Sequence, residues 1–76
     1  MTNYEIINDW RIRINGNEHG VPHVHVIFKD GSRASVAIVN REILVGSVSA
    51  KRLAPALLNI TQNEAQYLAE YRRLNP

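Results

Sequence analysis

The hydrophobic period of this chain changes once, at Gly46, and that change restricts its fold class more than any other feature of the sequence. Before Gly46, Trp10, Ile12 and Ile14 alternate with Arg11 and Arg13, and Val24, Val26 and Phe28 repeat the pattern, a period of two that buries one face of a strand. After it, Leu53, Leu57 and Ile60, then Leu68, Tyr71 and Leu74 with Ala65 alongside, recur at spacings of three and four, the period of a helix with one apolar stripe. Strands followed by helices, without interleaving, predict an α+β fold: an antiparallel sheet of about four strands packed on one face by C-terminal helices. At 76 residues the chain is expected to be a single domain, 1–76, with a sheet-forming half over 1–48 and a helical half over 49–76. A chain this short hides only about 60% of the surface its unfolded form exposes, so a partner has room to add stability.

Turn chemistry sets which side chains share a face. Trp10 to Ile14 and Pro22 to Phe28 read as strands separated by a loop over Asn15 to Gly20. After Phe28, a two-residue turn at Asp30-Gly31 would set Val26 opposite Ser35 and bury a hydroxyl. A three-residue loop over Lys29-Asp30-Gly31, with Gly31 left-handed, sets Val26 opposite Ala34 and Val24 opposite Val36. Burying a valine or isoleucine is worth about 1.5–3 kcal/mol, more than two common turn types differ by, so the three-residue loop is expected. A tight turn at Asn40-Arg41 would then place Ile38 opposite Ile43 and Val36 opposite Val45 on the same apolar side. Ser49 is placed to cap a helix from Ala50 to about Asn59, which Pro55 should kink or delay. Thr61-Gln62-Asn63-Glu64 reads as a capping box opening a second helix to about Leu74.

Composition excludes several chemistries. The chain has no cysteine, which removes disulfides, thiolate metal ligands and cysteine nucleophiles together and fits a reducing compartment. The N-terminal residues carry no basic cluster followed by an apolar run, and no later segment is long enough to span a bilayer, so a cytoplasmic protein without a membrane partner is expected. A net charge of +2 and a sequence pI of about 9.4 suit a polyanion without requiring one.

All three histidines fall in seven residues, His19-Gly20-Val21-Pro22-His23-Val24-His25. On a strand, His23 and His25 share a face, opposite Val24, Val26 and Phe28. With the expected register, Arg11, Arg13, Arg33 and Ser35 join them on the side away from the apolar core.

The histidine block also carries a family likeness. Glu18-His19-Gly20-Val21-Pro22-His23-Val24-His25-Val26 resembles the signature Asp-His-x-Pro-Pro-His-Phe-His-Val of a small bacterial family, domain of unknown function 4160 (DUF4160). Lys51-Arg52-Leu53 and the segment from Tyr67 to Leu74 are similar to it as well. The chain departs from the pattern at Val21, where relatives carry proline, and at Ser35 and Ala37, on a strand often acidic in relatives. The resemblance implies the toxin-like member of a type II toxin–antitoxin-like pair, with a small antitoxin-like protein encoded beside it as cognate partner.

Three readings of the histidine face follow. In the first, the face acts on RNA without metal or cofactor: His23 and His25 serve as base and acid, Arg13 and Arg33 stabilise the developing charge, and Arg11, Arg13, Arg33 and Ser35 hold the nucleic acid. In the second, the chain is a non-catalytic module whose face or sheet edge docks the cognate protein, or a second copy of itself. In the third, His19, His23 and His25 supply three imidazoles to a metal ion, with Glu18 the one carboxylate close in sequence. The plain structural alternative has the same histidines bonding nearby backbone and the arginines forming a solvated face. Trp10, Tyr67 and Tyr71 read as core rather than as stacking platforms.

Overall fold

The alternating half of the chain folds as a meander, each strand pairing with the next in sequence. The computed structural model describes residues 1–6, 9–18 and 20–76. Its strands are β1 (Thr2–Glu5), β2 (Trp10–Ile14), β3 (His23–Phe28), β4 (Arg33–Ala37) and β5 (Ile43–Gly46). They form one antiparallel sheet in the order β1-β2-β3-β4-β5. Two helices follow, α1 (Ala50–Gln62) and α2 (Glu64–Leu74). The architecture is α+β, with five strands instead of about four. The extra strand is β1, whose Thr-Asn-Tyr-Glu sequence lacks an apolar alternation; its pairing to β2 and its packing against α2 supply what local pattern does not.

The β3–β4 turn takes the three-residue form. Phe28 N–H donates to Ser32 O, Gly31 N–H donates to Phe28 O, and Gly31 has φ of 91°, a left-handed value that glycine adopts without a Cβ clash. Val24 pairs with Val36 and Val26 with Ala34, so the apolar sides coincide.

The β4–β5 turn differs from expectation. Ala37 N–H donates to Glu42 O and Arg41 N–H donates to Ala37 O, closing a loop longer than a tight Asn40-Arg41 turn, with Arg41 left-handed at φ 58°. The Arg41 guanidinium offsets that strained backbone by donating to Val39 O at 2.6 Å and to Glu64 Oε1 at 2.7 Å. Val36 therefore meets Ile43, and an irregularity between Ser35 and Val36 sets Val45 opposite Ser35 on the other face. Ile38 leaves the strand, donates its N–H to Pro22 O and is fully buried, while β5 is exposed along its whole length.

The core lies between the sheet and the helices: Ile12, Ile14, Val24, Val26, Val36 and Ile38 against Leu53, Ala56, Ile60, Tyr67 and Tyr71. Trp10 joins it, as its place in the alternation requires. Ser49 caps α1 by accepting from Arg52 N–H at 3.2 Å. The helix runs to Gln62 with Pro55 inside it, so Pro55 does not delay the start. The capping box is absent, because α1 continues past Thr61 and the Thr61 hydroxyl donates back to Leu57 O. Glu64 pairs with Arg41 instead. On α2 the buried residues are Tyr67 and Tyr71, with Leu68 and Leu74 half-buried and Ala65 exposed. The rotation follows from β1: the Tyr4 and Tyr67 rings lie 4.9 Å apart, the Tyr67 hydroxyl donates to Asn59 Oδ1, and Thr2 donates to Glu70. Among the described residues, no helix is long and apolar enough to cross a membrane.

Candidate functional site

Antiparallel pairing builds a polar row across the face turned away from the helices. Asn3 pairs with Arg13, Arg13 with His25, His25 with Ser35, and Ser35 with Val45. One step along the strands, a second row runs Glu5, Arg11, Ile27, Arg33. Cross-strand neighbours sit about 5 Å apart, so His25 lies between Arg13 and Ser35 at side-chain contact range. Arg11 and Arg33 flank Ile27 and are exposed; Arg13 is half-buried and donates through Nε to Asn3 Oδ1 at 3.0 Å. His23 pairs with Ala37 at the end of β3.

The two imidazoles share this face and are only partly open, with side-chain exposures of 11% for His23 and 23% for His25. Their rings meet edge to face at 5.1 Å, and the Tyr71 ring lies 5.7 Å from that of His23. Tyr71 thus walls one side of the histidine pair from the core.

The loop between β2 and β3 brings the carboxylate that completes the cluster. Glu18 Oε1 accepts from His25 Nε2 at 2.8 Å and lies 3.6 Å from His23 Nε2. The loop is anchored to the chain's far end: Glu18 N–H donates to Asn75 Oδ1, and Asn75 Nδ2 donates to Asn15 O. Asn15 Nδ2 also donates to Glu18 Oε1 at 3.3 Å. The His25 hydrogen bond, foremost, holds the Glu18 carboxyl below the usual carboxylate range. The same negative charge and, above all, burial push the Tyr71 phenol up.

Hydrogen bonds on the far sides of the rings set their orientation. His23 Nδ1–H donates to Val21 O at 2.8 Å, and His25 Nδ1 lies 3.2 Å from Ser35 Oγ. The ligand atoms of Glu18, His23 and His25 lie within 4.8 Å of one another, the one arrangement among the described residues with the donors and spacing of a metal centre. A separate cleft of about 250 Å³, lined by Glu5, Asp9, Trp10, Arg11 and Lys29 among others, includes neither His23 nor His25.

Residues 9–72 match the model of a protein family described as Domain of unknown function (DUF4160). The chain belongs to this family. No curated protein and no solved structure matches it.

In this DUF4160 protein the sequence-predicted residues separate into two groups. His23, His25, Arg13 and Ser35 come together, while Arg11 and Arg33 stand one row away. His19 lies outside the described residues. Glu18 is the member that sequence reasoning placed only at the margin of the site. Its signal was a carboxylate five and seven residues ahead of the histidine pair, in a loop whose path local pattern cannot give.

Proposed function

We propose that this DUF4160 chain is the partner-binding, toxin-like member of a bacterial two-protein module, acting in the cytoplasm and docking its small cognate protein along β5. The observation that carries this reading is the character of that strand. It is an edge of the sheet, it bears no charge, and its Ile43, Leu44 and Val45 are 36%, 39% and 68% exposed. Edge strands normally carry charged or shielding residues, because their free N–H and C=O groups pair with any strand that reaches them. The opposite edge, β1, has them: Asn3, Glu5 and the Thr2–Glu70 bond. An uncharged apolar edge left open suits a partner that adds a strand. Exposed Arg33 on the neighbouring β4 favours an acidic partner over a second copy of the same chain.

The test is co-expression with the protein encoded beside it. A stable complex is expected, and Val45→Lys should weaken it by about 30-fold, the scale of one central interface residue. Growth arrest from the chain alone should be relieved by the partner. Absence of a complex, or full binding by Val45→Lys, refutes the reading.

A second reading, action on RNA, draws on the placement of Arg13 directly beside His25. It casts His23 and His25 as base and acid with Arg13 and Arg33 as charge stabilisers. Purified protein that leaves RNA intact under metal-free conditions eliminates it.

A further inference from the structure

We infer that Glu18, His23 and His25 form a binding site for one divalent transition-metal ion of the zinc class, independent of the partner-docking edge. His23 Nδ1–H donates to the Val21 carbonyl, which can only accept, so the neutral ring presents a bare lone pair at Nε2. That lone pair lies 3.6 Å from an oxygen of the Glu18 carboxylate, another acceptor. A cation seated between these two acceptors, a metal ion or a ring proton, turns their contact into an attraction, and His25 Nε2, 2.8 Å from the same oxygen, gives a metal ion a third ligand atom.

The spacing fits. Ligand atoms about 2.0–2.2 Å from a tetrahedral ion lie about 3.4 Å from one another, and these three atoms lie within 4.8 Å, bracketing that value. Small side-chain rotations would seat the ion. Two imidazoles and a carboxylate leave at least one position open for water or an anion, a donor set that suits zinc-like ions and not magnesium.

Each ligand also has an orienting partner. Val21 O holds His23, Ser35 Oγ holds His25, and Asn15 with Asn75 holds Glu18 and its loop. The Ser35 hydroxyl is suited to either state, donating to His25 Nδ1 without the ion and accepting from Nδ1–H with it. Such outer hydrogen bonds are characteristic of metal-binding histidines. A +2 ion held by one carboxylate keeps positive charge, and Arg13 beside His25 adds to it, so the open position favours an anionic ligand. An ion here would occupy the nitrogens that an acid–base role on RNA needs, so the two uses of the pair are exclusive.

The experiment is a calorimetric titration of tag-free, metal-stripped full-length chain with Zn²⁺, paired with Co²⁺ absorption spectra and imidazole nitrogen resonances. One ion per chain is expected, with visible cobalt bands and zinc-induced shifts at both His23 and His25, and no competition from Mg²⁺. Glu18→Gln, His23→Ala and His25→Ala should each weaken binding by about 100-fold or more, and Ser35→Ala by about tenfold, the scale for losing an orienting partner. No 1:1 binding by the parent, equal competition from Mg²⁺, or loss on His19→Ala with Glu18→Gln unaffected overturns the assignment. If a ligand variant fails to fold, the parent's imidazole resonances decide it: unshifted nitrogens under saturating zinc overturn the site.

Discussion

Gly46 pairs with Ala34 where β5 ends, and Gly46→Ala tests how closely the open edge approaches β4 there. Its φ of 131° lies where side chains are rarely found, and a Cβ there would stand 2.8 Å from both Ala34 Cα and Arg33 O. Neither is a flexible side-chain end, so β5 must shift away from β4. Strained backbone costs about 1–3 kcal/mol and overpacking a similar amount, giving about 2–4 kcal/mol if the strand stays in place. A 76-residue chain has about 4–11 kcal/mol of total stability, so that cost would be felt globally. There is a cheaper outcome. Ile43, Leu44 and Val45 bury little, and releasing β5 forfeits less apolar contact than distorting β4, whose Ala34 and Val36 are in the core. The expected result is local: amide exchange accelerates in Ile43 to Gly46 and at the β4 groups they pair with, the urea midpoint falls modestly, and partner binding drops with the edge. Exchange by NMR, read beside urea unfolding, separates the two outcomes. Unchanged protection across β4 and β5 with an unchanged midpoint would refute the close-approach argument.

Ile38→Ala empties a fully buried site beneath the β4–β5 loop and should cost about 2–5 kcal/mol in urea unfolding, unlike Val39→Ala, whose side chain is exposed. Tyr67→Phe removes the hydroxyl that reaches Asn59 and should cost about 1 kcal/mol, measured by the same unfolding curves. Acidification should loosen the tie between β1 and α2. Glu70, held to about 2 by the Arg73 hydrogen bond first and by Thr2 next, contributes fully above about pH 4.5 and loses its contribution as pH falls toward 2. Melting temperature should decline across that window, and Glu70→Gln should flatten the decline; a parent curve level from pH 4.5 to 2 contradicts it.

The parts of the fold that sequence alone determined are those set by neighbours along the chain. Alternation in Trp10–Ile14 and His23–Phe28 placed Val24 and Val26 inward and both histidines on the other face, and Asp30-Gly31 selected one register because the alternative buried Ser35. Ser49 marked the start of α1 because a cap acts on an amide three residues away. The tertiary structure decided whatever depends on a distant surface. β1 is a strand because β2 and Tyr67 are there to receive it, and α2 buries Tyr67, already read as core, more deeply than Leu68 because Tyr4 packs against its ring. Val45 turned to the Ser35 face through an irregularity that no turn residue announces. Glu18 reached His23 and His25 because Asn75, from the far end of the chain, holds its loop in place. Periodicity reports which face a residue occupies, since that is fixed by backbone geometry; which groups meet across a loop depends on the free energy of the whole packed chain, which no local window contains.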